Sequence, residues 1–335
     1  MTIIYPEMTD PIVVLEEPHL KNIATFLADH SGCNPYCSAS AFEDFVLGAS
    51  ALLPLLPPEV IRELVRFRIH GSREGVLLIR GLPINDCRIG PTPLHWSLEA
   101  QTKKTFETEL YLLGCMVLLG EVFSFNTQHL GNVIQNVVPV KDDAYEQVGT
   151  GSRVFLDWHI EDAFSDYRAD LIGLLCLRAN PEAATTFASI RRMQLPEHHK
   201  RCLFEKRFLV DIDGAHQRPD GFSERSIAIL FGNYEDPFLR LDPLFMRAQA
   251  NDLEAAAALD YIVKMIPDVA RQVVLEQGDL LVMDNHRVIH GRSAYSPRFD
   301  GTDRWLQRVS ITTDVRKSSE VRRRQFRVIE NELCA

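Results

Sequence analysis

Apolar positions in the first part of the chain repeat every three to four residues, which predicts helices over residues 20–28, 40–53 and 58–70, with Pro58 suited to a first helical turn. Residues 76–79 form a short apolar run that leads into Arg80-Gly81-Leu82-Pro83, a strand entering a turn, and Pro91-Thr92-Pro93 marks a loop. The longest apolar helical pattern spans residues 106–119 and is expected to pack against a sheet.

Beyond residue 130 the period changes to that of strands. Short runs at residues 133–140, 153–161, 171–177, 208–212, 227–231, 238–241, 280–283 and 304–311 are bounded by turn residues, and one alanine-rich helix interrupts them at 253–265. The run 171–177 is apolar throughout, as in a strand buried on both faces. This many short strands predicts a mainly β fold with flanking helices, built on a double-stranded β-helix (jelly roll) core. With no internal repeat and no low-complexity linker, the reading is a single domain over 1–335: a mostly helical part (1–130), a jelly-roll core (131–315) and a basic tail (316–335).

Composition adds bounds. The chain has 335 residues, 46% of them hydrophobic, enough for a sizeable core, and its formal charge of −10 argues against nucleic acid or an anionic membrane as partner. Arg316, Lys317, Arg322, Arg323, Arg324 and Arg327 run against that charge and read as a solvated C-terminal helix or tail. Seven cysteines without metal-site spacing suggest reduced thiols and a cytoplasmic protein; Cys33 and Cys37 are four apart with no second pair to answer them. No targeting pattern or membrane-length apolar run is expected to matter, and a homo-oligomer stays open.

The chemistry concentrates in residues 278–310. A strand at 280–283 breaks at Asp284-Asn285 into a loop that delivers His290, and a second strand begins near Arg304. Its period of two puts Arg304, Leu306, Arg308 and Ser310 on one face, with the two arginines about 13 Å apart. An inward-facing arginine needs an anion, because a desolvated guanidinium is costly unless its fork is filled. Upstream, the run 153–161 ends in His159-x-Glu161, both on one face by the same period, with Trp158 facing away and Asp157 on the ligand side, either behind the ligands or in an edge salt bridge. Two imidazoles and one carboxylate make a facial triad for Fe(II), leaving positions open for a chelating cosubstrate and oxygen. A His-x-Glu pair is common by chance, and His286, four residues before His290, is an alternative ligand; His198-His199 lies in a charged run and is expected to be exposed. Gln135 is placed either to contact a polar substrate or to cap a neighbouring strand. The polar segment 141–152, with Gly149 and Gly151, is either a lid or an ordinary connection.

The segments DWHIEDAF (157–164), LLCLRANPEAATTFAS (174–189) and DNHRVIHGRSAYSPRFDGTDRWLQR (284–308) resemble the clavaminate synthase-like Fe(II)/2-oxoglutarate oxygenases, among them hydroxylases of free amino acids. The resemblance covers residues 133–311. It implies that His159, Glu161 and His290 ligate iron, that Arg304 and Thr185 (or Thr186, one register away) hold 2-oxoglutarate, and that Arg308 takes the substrate α-carboxylate beside Gln135 and Glu161. Fe(II), 2-oxoglutarate and O2 are the implied cofactors, and C3 or C4 of a free L-amino acid the implied target. The carboxylate at 161 separates the chain from halogenase relatives and points to hydroxylation or desaturation. In Leu239-Arg240-Leu241-Asp242-Pro243-Leu244, arginine hydroxylases of the family place two aspartates two residues apart; here Asp242 remains and Leu244 replaces the second, which suggests L-lysine first, then arginine, ornithine or citrulline. Asp242 also reads as a turn cap, and the whole as a binding protein without turnover or a zinc hydrolase using the same ligands.

Overall fold

The computed structural model describes residues 5–9, 12–30, 32–98, 103–218, 222–322 and 326–330. Numbered along the chain, the strands are β1 (Ile12–Val14), β2 (Val76–Arg80), β3 (Glu121–Phe125), β4 (Gln135–Val137), β5 (Leu156–His159), β6 (Leu171–Arg178), β7 (Ala184–Ser189), β8 (Phe208–Val210), β9 (Arg225–Ile227), β10 (Leu230–Gly232), β11 (Pro237–Leu239), β12 (Met246–Ala248), β13 (Arg271–Val274), β14 (Leu280–Asp284), β15 (Val288–Arg292), β16 (Trp305–Thr312) and β17 (Val328–Ile329). Eight strands form one sheet in the order β1-β2-β14-β6-β16-β3-β17, with β4 pairing a further stretch of β16, and four form a second in the order β13-β7-β15-β5.

The continuous apolar run of β6 explains how these sheets stack. Its alternate side chains enter two separate cores: Leu171, Leu175 and Leu177 meet the helices, while Ile172, Leu174 and Cys176 fill the space between the sheets. There they join Leu281 and Leu306 of the large sheet and Phe187, Val273 and Val288 of the small one. Helices Glu17–His30, Ala39–Ala49, Pro58–His70 and Glu107–Met116 cover the outer face of the large sheet, and Leu253–Val269 covers the small sheet through Ala255, Ala258, Ile262 and Ile266. The result is a mixed α/β arrangement of four layers, more helical than the mainly β expectation, because each sheet needs an apolar cover on its outer face.

The helix at Pro58–His70 and the strands β2, β6, β14 and β16 stand where the apolar pattern predicts them. The run 227–231 is two strands, β9 and β10, divided at Ala228-Ile229, where Ile229 turns into the core under the Leu253–Val269 helix. The C-terminal basic segment is not wholly solvated: β17 pairs in parallel with β3, and buried Arg327 lies between Glu43 (2.9 Å) and Glu121 (2.8 Å). Those acidic partners come from a distant helix and strand, so local charge pattern could not reveal them. Arg323 and Arg324 lie outside the described residues. No helix among the described residues is long and apolar enough to cross a membrane.

The turn into β14 depends on Gly278, which has φ +84° and receives the Leu82 amide on its carbonyl at 2.9 Å; a Cβ there would lie 2.2 Å from the Leu82 carbonyl oxygen. Gly48, in a helix, has open space around it. Gly278→Ala is therefore expected to cost at least about 1–3 kcal/mol, and Gly48→Ala to gain up to about 1 kcal/mol, with opposite shifts in Tm as the measurement.

Candidate active site

Backbone pairing brings the two histidines together. β15 runs antiparallel to β5 with His290 directly opposite His159, so both imidazoles leave the same face of neighbouring strands, ring centroids 4.4 Å apart. Glu161 lies beyond the end of β5, and strand parity does not place it. Its backbone is clamped instead by Asn285: the Glu161 amide donates to Asn285 Oδ1 (2.9 Å), and Asn285 Nδ2 donates to the carbonyls of Glu161 (3.1 Å) and Ala169 (2.9 Å). Asp162 then turns the chain away in the left-handed region, φ 56°. Glu161 Oε1 is thereby brought to 3.5 Å from His290 Nε2 and 3.8 Å from His159 Nε2.

These three donor atoms lie within 4.8 Å of one another, and both Glu161 and His290 are buried. Metal–nitrogen bonds of about 2.1 Å would set neighbouring ligands about 3 Å apart, so a cation would shorten the two Glu161–histidine separations by about 0.5–0.8 Å. Two neutral-capable imidazoles and a carboxylate suit a first-row divalent metal with open positions. His159 Nδ1 bonds the Asp157 carbonyl at 2.8 Å, which leaves Nε2 for a metal. Asp157 thus contributes its main chain behind His159. Trp158 points away, edge-on to Tyr5 and Phe155.

His286 stands apart from this group. Its Nε2 bonds Asp170 at 2.8 Å, Arg168 lies against its Nδ1, and Phe231 and Phe238 flank the ring. His198 is exposed. A second trio, Asp162, Asp213 and His216, is close enough for a metal, but His216 is bonded on both nitrogens, by Asp162 and Thr127.

Around the triad the cavity between the sheets has two kinds of wall. Arg304, Arg292 and Thr185 line it together, and Thr185 rather than Thr186 faces it. Arg304 is 5% exposed, its guanidinium lies 5.9 Å from the centre of the Tyr295 ring, and among the described residues no carboxylate forms an ion pair with it. Burial and the neighbouring Arg304 push the Arg292 guanidinium down to about 10. Arg308 donates one guanidinium nitrogen to both Glu161 oxygens at 2.6 Å and its Nε to Gln135 Oε1 at 3.1 Å, and Gln135 in turn donates to Gln128 (2.9 Å). Asp242 and Asp213 line the same cavity. Burial lifts the Asp242 carboxyl to about 7, with Asp213 adding to the rise and His159 opposing it. Residues 147–149 cover the cavity from the segment 141–152, which folds on itself through Val140 N–H to Thr150 O (3.0 Å) and Glu146 N–H to Asp143 O (2.8 Å).

In the sequence reading Arg292, Asp213 and Gln128 have no site role and Asn285 is only a strand breaker. Parity with His290 along one strand marks Arg292, whereas Asp213, Gln128 and Asn285 come from loops with no periodic signal.

Residues 59–310 match the family described as "Taurine catabolism dioxygenase TauD, TfdA family". The chain belongs to that family. It is 35% identical to the enduracididine beta-hydroxylase of Streptomyces hygroscopicus over 80% of this chain and 85% of that one. It is 30% identical to the L-lysine 3-hydroxylase of Catenulispora acidiphila over 97% and 90%. The non-heme iron oxygenase OrfP, solved with Fe and alpha-ketoglutaric acid, superposes with a TM-score of 0.85 at 33% identity, over 95% of this chain and all of OrfP (100%). The chain is thus an Fe(II)/2-oxoglutarate-dependent hydroxylase of the free amino acid branch.

Burial disfavours charge on both imidazoles, but the Glu161 carboxylate outweighs it at His159, raised to about 9, while burial and the charged His159 lower His290 to about 4. A metal takes the neutral ring, so binding at pH 7.5 releases about one proton, and affinity falls about tenfold per unit as pH drops below about 9. Calorimetry with Mn(II) in buffers of different ionisation heat checks this. His290→Ala should abolish the binding heat, whereas His286→Ala should keep it and lower Tm through loss of the Asp170 contact.

Proposed function

We propose that the protein hydroxylates C3 of a free L-amino acid whose side chain ends in a guanidine, arginine or a cyclic relative of it, with L-lysine as the second reading. The carrying observation is the pair Asp242 and Asp213, which both line the cavity and lie close enough for Asp213 to act on the Asp242 carboxyl. The sequence lacks a second aspartate at Leu244, but Asp213 reaches the same cavity from another loop, so two carboxylates face a planar five-donor group. The beta- and 3-hydroxylase relatives, and the OrfP complex with Fe, succinate and (3S)-hydroxy-L-Arg, support both the carbon and the side-chain class. The lysine 3-hydroxylase, which aligns with 97% of this chain, supports the second reading.

In this reading His159, Glu161 and His290 hold Fe(II), which supplies oxygen activation and hydrogen abstraction at an unreactive carbon once 2-oxoglutarate is bound. Arg304 and Thr185 hold the far carboxylate of 2-oxoglutarate, since a buried guanidinium without a carboxylate partner calls for an anionic ligand. Arg308 and Gln135 take the substrate α-carboxylate, sharing Arg308 with Glu161. Asp242 and Asp213 hold the distal cation, which fixes the carbon presented to the iron. Segment 141–152 covers the cavity and limits water access. The two packed sheets are read as a double-stranded β-helix, and the chain as one domain acting in a reducing, cytoplasmic setting, in keeping with its free cysteines.

Incubation with Fe(II), 2-oxoglutarate, oxygen and each of arginine, lysine, ornithine, citrulline and norleucine, scored by a mass gain of one oxygen, tests the reading. Arginine should be turned over best and norleucine not at all. Asp242→Asn should raise the arginine KM roughly 100-fold, since an uncompensated buried charge costs about 3 kcal/mol. Equal turnover of norleucine would remove the two aspartates from recognition. Arg304→Lys should weaken 2-oxoglutarate roughly 10- to 100-fold and leave the amino acid little changed, with Arg308→Lys the reverse. Independent titration of each ligand reads the difference.

A further inference from the structure

On the helix side of β16, behind the cavity wall, lies a charged pair that the chemistry above does not use. The side chains of Lys103 and Glu109 are both fully enclosed (0% exposed), with Lys103 Nζ 2.5 Å from each carboxylate oxygen. They sit beside the apolar cluster of the helices and the large sheet, with Nζ 5.5 Å from the centre of the Trp305 ring. Glu109 also accepts from Thr108 (3.0 Å), from the Tyr36 hydroxyl (3.2 Å) and from Gln307 Nε2 (2.8 Å). A buried ion pair adds little net stability, because desolvating two charges offsets their attraction, and apolar residues of similar size often serve a core as well or better. What such a pair can add is specificity.

β16 has a specificity problem. It turns Trp305, Val309 and Ile311 toward the helices and Leu306 toward the cavity, and its pairing with β6 shifts register between Trp305 and Leu306. A slip of one residue exchanges the two faces of a strand, which here would carry Arg308 into the helix-side core. Leucine, valine and isoleucine resist that slip weakly, since each is at home in either apolar layer. An amide meeting a buried carboxylate is not interchangeable. Gln307 is the residue that makes this contact, between Leu306 and Arg308, and Trp305 Nε1 adds a second polar tie to Asn136 of β4 at 2.7 Å.

We infer that the buried Lys103–Glu109 pair is a register key for β16, acting through Gln307 to fix which residues face the cavity and so to hold Arg304 and Arg308 at the site. Lys103 and Glu109 are positioning residues, and the inference rests on the reading of those two arginines as the groups that grip 2-oxoglutarate and the amino acid.

Two double variants of the full chain separate the key from the charges. Lys103→Met/Glu109→Gln keeps an acceptor for Gln307, and Lys103→Met/Glu109→Leu does not. Both should melt close to wild type. The Gln form should bind 2-oxoglutarate and arginine as wild type does, whereas the Leu form should bind both about tenfold more weakly and show faster hydrogen exchange across residues 305–312. Gln307→Leu, which leaves the ion pair in place, should reproduce the Leu form even if a double variant does not fold. Unchanged binding and exchange in the Leu form and in Gln307→Leu overturns the inference, as does equal loss in the Gln form. A wild-type protein that binds neither ligand would overturn the functional reading instead, and exchange across β16 in the variants would still decide the register key.

Discussion

The buried carboxylate of Glu161 is the constraint on which the rest of the site depends. A carboxylate enclosed this far from water is costly unless charge and hydrogen bonds replace its hydration. Here Arg308 supplies two contacts of 2.6 Å, and the two histidines approach from a cross-strand pair. Against the pull of burial, these partners hold its pKa well below the usual carboxylate range. The carboxylate is kept in place by its own backbone, tied to Asn285 in the turn between β14 and β15. That turn is itself anchored, through His286 on Asp170 and the Asn285 amide on the Asp170 carbonyl (3.0 Å). The large sheet thus positions Glu161 and the small sheet the two histidines.

Around that centre the cavity is polarised. Arg292 and Arg304 act on each other, Arg308 is bonded to Glu161, and Asp213 and Asp242 form an acidic pair in the same lining. A zwitterionic amino acid with a cationic tail has one favourable orientation in such a field, and reversing it would set like charges together. The raised carboxyl of Asp242 follows the same logic: burial holds it near 7, and a cation beside it would favour its ionised form.

Much of this was legible in the chain. The all-apolar run of β6 announced a strand with two buried faces, and the period of two along β16 put Leu306 and Arg308 on the side opposite Trp305 and Val309, as found. His159 and Glu161 stood out as a His-x-Glu pair near a strand end, but residue type left His286 beside His290, and only the resemblance to the oxygenases selected His290. What the pattern concealed is long-range. Glu161 reaches the histidines by an Asn285 clamp rather than by strand parity, Asp213 arrives from a loop, and Arg327 is buried against acids far away in sequence. None of these leaves a periodic trace, because each depends on a tertiary contact between segments that carry no local signal. The ion pair behind β16 was hidden for the same reason: an isolated Lys103 and Glu109 look like surface charges until the helix is docked.

Anomalous diffraction from crystals grown with Mn(II) tests the centre of this account most directly. A single strong peak bounded by His159 Nε2, His290 Nε2 and one Glu161 oxygen, with Asn285 still bonded to the Glu161 backbone, is the predicted result. A peak at Asp162, Asp213 and His216, or a metal held by His286, would contradict it.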